Sequence, residues 1–220
     1  GFKIDYEQFT SHTVTVKVTD KNGTGLSHTQ NFTIAVKDVN PEVTPGSSAD
    51  DVFYGGAAAD LLSGALGNDS IYGGLGEDRI DGGLDNDTLS GEAGDDLIEG
   101  GEGDDAIDGG ADDDVMFGDA GDDTLLGGLG NDTIKGNAGD DTFVVTSTAD
   151  GRDSYDGGAG IDTLDFSALT QALNLTLRDG TATFATDSIE NIENVIGGSA
   201  DDGLTGNGAD NILSGNGGAD

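Results

Sequence analysis

The chain of 220 residues contains no cysteine and no tryptophan, only two prolines and a single methionine. Without cysteine no disulfide can staple the fold, and no thiol can act as a nucleophile. Basic residues are scarce as well: 8 Lys and Arg stand against 44 Asp and Glu, a formal net charge of −36. That balance excludes nucleic acid as a partner, because its phosphates would be repelled. It also argues against docking on an anionic membrane. No apolar run approaches the roughly 18 residues of a membrane span, and no signal peptide is visible. The first residue is not Met and the last six, GNGGAD, stop inside a repeat. The chain is therefore expected to be a piece of a longer polypeptide. Acidity combined with few aromatics is the composition of a disordered tract, and only order in the sequence decides against that reading. What the chain has in abundance is 40 glycines and oxygen-bearing side chains. Such oxygens suit small, hard cations.

The order lies in a nine-residue register. From Gly46 to Val144 the chain divides into eleven consecutive blocks of nine, such as GGLGEDRID (73–81) and GGLGNDTIK (127–135). The first residue of every block is Gly and the eighth is apolar, from Phe53, Leu62 and Ile71 to Phe143. The sixth is always aspartate: Asp51, Asp60, Asp69, Asp78, Asp87, Asp96, Asp105, Asp114, Asp123, Asp132 and Asp141. Glycine at the head of the block, often doubled, suits a tight turn with positive φ. Positions seven to nine carry one apolar residue between two mostly polar ones, which predicts a very short strand with one side chain inward. Nine residues then make a turn and a strand, and two such halves close an 18-residue coil. Successive coils should stack at the strand spacing of about 4.8 Å.

This GGxGxDxUx pattern, with U apolar, resembles the RTX, or haemolysin-type, calcium-binding repeats. The resemblance implies an all-β parallel β-roll, a solenoid of nine-residue half-coils. It also implies several calcium ions held between adjacent coils by sixth-position carboxylates and turn carbonyls. Carried onto this chain, the pairs are Asp51 with Asp69, Asp60 with Asp78, and so on to Asp123 with Asp141, at most nine pairs in 46–144. The fourth position is usually Gly but is Ala49, Ala58, Asp85 and Asp112 in four blocks. Asp tolerates a left-handed backbone better than Ala, so the sites built on Ala49 and Ala58 are the weakest expected. One inward side chain per nine residues, worth about 1.5–3 kcal/mol, is a thin core. Residues 46–144 carry 26 acidic and 2 basic residues. Stacked aspartates about 5 Å apart repel by roughly 1 kcal/mol even in water. A divalent cation between coils would reverse that sign, so the metal-free chain should be largely unfolded.

The flanks read differently. Residues 145–196 interrupt the register with one isolated block, GGAGIDTLD (157–165), which places Asp162 at the sixth position. LNLTL (173–177) and TATFA (181–185), joined by a turn at Asp179-Gly180, predict a β-hairpin insertion. Repeats resume at 197–220 with Asp202 and Asp220 in place, while Asn211 occupies the sixth position of the block between them. This stretch resembles the C-terminal β-roll region of serralysin-type secreted proteases. Residues 41–48 hold both prolines and read as a linker running into the first block. In residues 1–40, HTVTVKVTD (12–20) and NFTIAVKDV (31–39) read as two strands of a partial sandwich. IDYE, VTDKN and KDVNPE resemble the C-terminal part of a cadherin-like repeat. That resemblance makes Asp5, Glu7, Asp38 and Asn40 further calcium-ligand candidates, and matches Asp20 and Asn22 to its middle motif.

No catalytic constellation appears. His12 and His28 lie outside any HExxH pattern, and acidic pairs such as Asp95-Asp96 read as a turn residue beside a repeat aspartate. The fragment is thus expected to be a non-enzymatic, monomeric, calcium-binding folding module. The resemblance implies a secreted or surface protein exported by a type I system. The expected parent is an adhesin whose upstream domains meet a cell-surface or matrix ligand. The alternative is the non-catalytic C-terminal region of an extracellular hydrolase or toxin.

Overall fold

The computed structural model describes residues 11–19, 27–35, 43–177, 182–184 and 187–220. The chain divides into two compact units, 1–40 and 41–220. In the first unit β1 (Ser11–Thr19) pairs antiparallel with β2 (Ser27–Ala35), from Ser11 opposite Ala35 to Thr19 opposite Ser27. The second strand begins four residues earlier than the alternation at 31–39 suggested. Asp5, Glu7, Asp20, Asn22, Asp38 and Asn40 lie outside the described residues.

All the remaining strands belong to the second unit. They are β3 (Val43–Pro45), β4 (Val52–Gly56), β5 (Leu61–Leu66), β6 (Ser70–Leu75), β7 (Arg79–Leu84), β8 (Thr88–Ala93) and β9 (Leu97–Glu102). Next come β10 (Ala106–Ala111), β11 (Val115–Ala120), β12 (Thr124–Leu129), β13 (Thr133–Ala138), β14 (Thr142–Val144), β15 (Ser154–Ala159) and β16 (Thr163–Asp165). The last are β17 (Asn174–Thr176), β18 (Ala182–Phe184), β19 (Asp187–Glu190), β20 (Asn194–Ile196), β21 (Gly203–Thr205) and β22 (Leu213–Ser214). Alternate strands fall into two 9-stranded sheets, one running β4-β6-β8-β10-β12-β14-β16-β20-β22, the other β3-β5-β7-β9-β11-β13-β15-β19-β18. Neighbours in the repeats are parallel and 18 residues apart: Ile107 lies opposite Leu89 on one side and Leu125 on the other. The unit is a parallel β-solenoid, as the nine-residue period predicts.

The core is the eighth-position column. Leu62, Ile71, Ile80, Ile98, Met116, Leu125, Ile134 and Phe143 have no exposed surface, and Phe53, at the first coil, is still 92% covered (8% exposed). The columns from the two sheets meet in a single cluster. Each coil adds two such side chains, so coils gain stability chiefly from their neighbours.

Three expectations about the backbone need correction. First, repeat strands in the middle of the roll run six residues rather than three, from position seven through position three of the next block. Second, positive φ does not occur at the first glycine of a block. It occurs at the second position, where Ala65, Glu92, Asp119 and Asn137 adopt it beside Gly74 and Gly83, and at the fourth. The fourth-position Asp85 and Asp112 take φ of 73° and 80°, whereas Ala49 and Ala58 stay out of that region. The first position is glycine for a steric reason. A Cβ on Gly100 would stand 2.5 Å from Asp105 Oδ2 and 2.6 Å from Gly118 O, too close for a carbon. Third, Val43–Pro45 is not linker but the first strand of its sheet, with Val43 opposite Leu61.

The 145–196 region also departs from the hairpin expected there. β17 pairs parallel with β21, and β18 pairs antiparallel with β19 instead of with β17. The Asp179-Gly180 turn lies outside the described residues. Residues 145–165 are not an interruption but one more coil with a longer turn: β15 continues the β13 ladder and β16 the β14 ladder. Beyond it the core broadens with buried Phe166, Leu169, Leu173, Leu175, Leu177, Ile189, Ile192 and Val195.

Candidate metal centre

Each turn ends on its sixth-position aspartate, and the strand that follows fixes that residue against the coils above and below. Its backbone carbonyl accepts the N–H of position seven in the next coil, as in Thr88 N–H to Asp69 O at 2.8 Å. Its N–H donates to the carboxylate of the next aspartate in its column. Asp51 N–H reaches Asp69 Oδ1 at 2.6 Å, Asp87 N–H reaches Asp105 Oδ1 at 2.8 Å and Asp123 N–H reaches Asp141 Oδ1 at 2.9 Å. Thus the pairs 18 residues apart meet, through a backbone-to-carboxylate bond. Asp60 joins its column in the same way, donating to Asp78 Oδ1 at 2.8 Å.

The second carboxylate oxygen is different. Oδ2 of Asp69, Asp78, Asp87, Asp96, Asp105, Asp114, Asp123, Asp132, Asp141 and Asp162 is buried and accepts no hydrogen bond. An anionic oxygen out of water and without a donor costs several kcal/mol. It also faces a second oxygen. The space on Gly82 that a side chain would fill is 2.5 Å from Asp87 Oδ2 and 2.5 Å from Gly100 O; on Gly109 the same space is 2.5 Å from Asp114 Oδ2 and 2.6 Å from Gly127 O. A carboxylate oxygen and a carbonyl of the next coil therefore converge where the first glycine leaves room. Oxygens without donors, converging in a glycine-lined gap, are what a hard divalent cation accepts. Among the described residues no three acidic or histidine side chains gather at one point, so backbone carbonyls must complete any ligand set.

Burial, opposed by the N–H bond and reinforced by neighbouring carboxylates, raises the pKa values of this column. Desolvation lifts Asp87 and Asp132 to about 6, Asp96, Asp123 and Asp162 to about 7, and Asp114 to about 8. Asp69, Asp78, Asp105 and Asp141 move upward for the same first reason. These groups resist carrying charge in the folded, metal-free chain.

Not every candidate aspartate shares this state. Asp51 Oδ2 accepts the Ser47 N–H at 2.9 Å and the Ser47 hydroxyl at 2.8 Å. Asp202 Oδ2 accepts the Gly198 N–H at 2.8 Å, and Asp220 Oδ1 accepts the Asp202 N–H at 2.8 Å. At Asn211 the side-chain amide donates to Glu193 O at 2.8 Å, filling the position with a proton donor.

The sequence reading missed several residues of the same ladders. Asp153 is buried and accepts the Asp132 N–H at 3.0 Å, and Asp187 accepts the Asp153 N–H at 3.0 Å. Glu193 accepts the Asp162 N–H at 2.9 Å, a longer side chain covering a longer turn. The signal for Asp153 was present: it stands nine residues before Asp162, as Tyr155 stands nine before Leu164. Fifth-position residues form a second, outward ladder of opposite sense, in which Asp122 N–H donates to Asp104 Oδ1 and Asp140 N–H to Asp122 Oδ1.

The family profile described as the RTX calcium-binding nonapeptide repeat matches residues 45–80, 54–89, 81–116, 117–145 and 147–165, together more than half of the chain. No curated protein matches. Among solved structures, the chain is similar to the extracellular lipase LipA from Serratia marcescens, with 19% sequence identity and a TM-score of 0.25. That similarity covers 72% of this chain and 38% of the lipase, so the chain spans well under half of that protein's length.

Proposed function

The chain belongs to the RTX calcium-binding nonapeptide repeat family, and from that premise we propose that its sixth-position aspartates hold calcium between coils and make folding depend on it. The observation that carries this reading is the column of buried Oδ2 atoms without a donor, from Asp69 to Asp141 and at Asp162. The residues that would hold the ion are these aspartates and the first-position glycine carbonyls facing them, such as Gly100 and Gly127. The bound ion supplies the positive charge that these oxygens otherwise lack. The chain's own part is to desolvate the carboxylates, to hold each Oδ1 on an N–H of the preceding coil, and to keep the gap clear with glycine. Affinity for such sites is expected at about 10⁻⁴–10⁻³ M, the range of extracellular modules. A chain of this kind stays loose where calcium is scarce and folds where it is plentiful, which suits export through a type I channel followed by folding outside the cell. Among the described residues no helix is long and apolar enough to cross a membrane.

The repeat domain is a non-catalytic calcium-binding module. For the parent we propose a surface or secreted adhesin, on the cadherin-like motifs of residues 1–40, with Asp5, Glu7, Asp38 and Asn40 as subsidiary ligands.

Isothermal titration calorimetry on two variants tests the ligand assignment. Asp105→Asn should bind at least one calcium ion fewer than the wild type. Asp51→Asn, whose Oδ2 is already capped by Ser47, should keep the wild-type number. Equal stoichiometry for Asp105→Asn and wild type would contradict the assignment.

A further inference from the structure

We propose that the hydroxyl of Tyr155 occupies, at Asp153, the place that calcium takes elsewhere in the column, so that this turn is metal-free. The inference rests on the reading of the sixth-position aspartates as calcium ligands, and deepens it. Asp153 is 3% exposed and sits in register in its ladder, its Oδ1 accepting the Asp132 N–H. Its Oδ2, however, accepts the Tyr155 hydroxyl at 3.0 Å. Both oxygens are satisfied, in contrast to Asp114 and Asp132 in the same ladder, whose Oδ2 atoms have no donor.

Tyr155 is placed for this by the fold. It fills the eighth position of its block, is 4% exposed, and packs edge-on against Phe143 with ring centroids 5.9 Å apart. The same position elsewhere in this sheet carries Ile98, Met116 or Ile134, which have nothing to donate. A buried phenol must find an acceptor, and a carboxylate two residues back is within reach. The O–H to carboxylate bond is charge-assisted and replaces the lost hydration of the anion. A cation entering at Asp153 would have to displace the phenol and leave its proton unsatisfied among apolar side chains. The longer turn does not by itself set Asp153 apart: Asp132 and Asp153 are 21 residues apart, and so are Asp141 and Asp162, yet Asp162 Oδ2 has no donor. The phenol does set it apart.

Equilibrium dialysis of the full chain with calcium tests this with wild type, Asp123→Asn and Asp153→Asn. The expected result is a count lower by one or more for Asp123→Asn and an unchanged count for Asp153→Asn. A lower count for Asp153→Asn, alongside the loss at Asp123, overturns the metal-free turn and leaves the ligand reading standing. An unchanged count for Asp123→Asn overturns the ligand reading itself, and the inference with it. If Asp153→Asn does not fold, anomalous scattering from wild-type crystals grown in calcium decides. Density beside Asp123 Oδ2 and none beside Asp153 Oδ2 is expected. Density beside Asp153, with the phenol turned away, overturns the proposal.

Discussion

At the scale of one residue, each repeat aspartate of the mid-roll, from Asp69 to Asp141, divides its two oxygens between two neighbours. Oδ1 is tied to an N–H of the preceding coil, while Oδ2 is presented to a carbonyl of the following one. The first glycine of the block is part of that device. Gly109→Ala should therefore abolish calcium binding at Asp114, because the new methyl would lie 2.5 Å from Asp114 Oδ2 and 2.6 Å from Gly127 O; calorimetry should count at least one ion fewer. The second position behaves oppositely. Ala65 carries φ of 80°, which costs a non-glycine residue roughly 1–2 kcal/mol. Ala65→Gly should raise the thermal midpoint of the calcium-loaded chain, by an amount equivalent to about 1 kcal/mol, and calorimetric unfolding would register it. Sequence gave both glycines the same role because a repeat shows that a residue recurs without showing why. The difference between a positive φ and a forbidden Cβ exists only once the coils are stacked.

At the scale of the strand and its turn, what was legible depended on the period. Eighth-position residues such as Ile98 and Leu125 are buried as nine-residue spacing requires, and their pairing 18 residues apart follows from two halves per coil. The hairpin at 173–185 was misread because alternation in LNLTL reports a half-buried strand but not its partner. β17 pairs with β21, far along the chain. Asp153 was hidden by the longer turn before it, although its spacing to Asp162 kept the period. The turns also predict a response to acid. In the folded, metal-free chain burial first, then neighbouring carboxylates, pushes Asp96, Asp123 and Asp162 up to about 7 and Asp114 up to about 8, from the ordinary carboxylate value of 3.8. The folded state then binds more protons than the unfolded state, so stability falls as pH rises through the folded values and is regained as pH falls toward the unfolded one. In chelator, β-structure followed by circular dichroism should increase as pH is lowered from about 8 to about 5. Calcium uptake near neutral pH, starting from a coil whose carboxylates are already ionised, should release few protons, seen as a calorimetric heat nearly independent of buffer ionisation enthalpy. Loss of β-structure on acidification in chelator would contradict the burial of these groups.

At the scale of the whole molecule, the roll joins a thin core to a dense column of like charge. Its central coils contribute one buried side chain per strand, while the chain carries a net charge of −36. Neighbour-to-neighbour stacking means that a coil gains most when the coils beside it are already ordered, so filling of the sites should be cooperative. Magnesium should substitute poorly, since it demands a small octahedral cage and sheds its water reluctantly. The extra apolar side chains beyond Phe143, including Phe166, Leu175 and Ile192, give the C-terminal coils more core than the central ones. The central claim is that a cation is required to neutralise the carboxylate column before the coils can stack. Far-ultraviolet circular dichroism of the chain at neutral pH, titrated from chelator to millimolar calcium, tests it most directly. The account predicts predominantly coil in chelator and a steep, saturable gain of β-structure as calcium is added; a full β spectrum already present in chelator would contradict it.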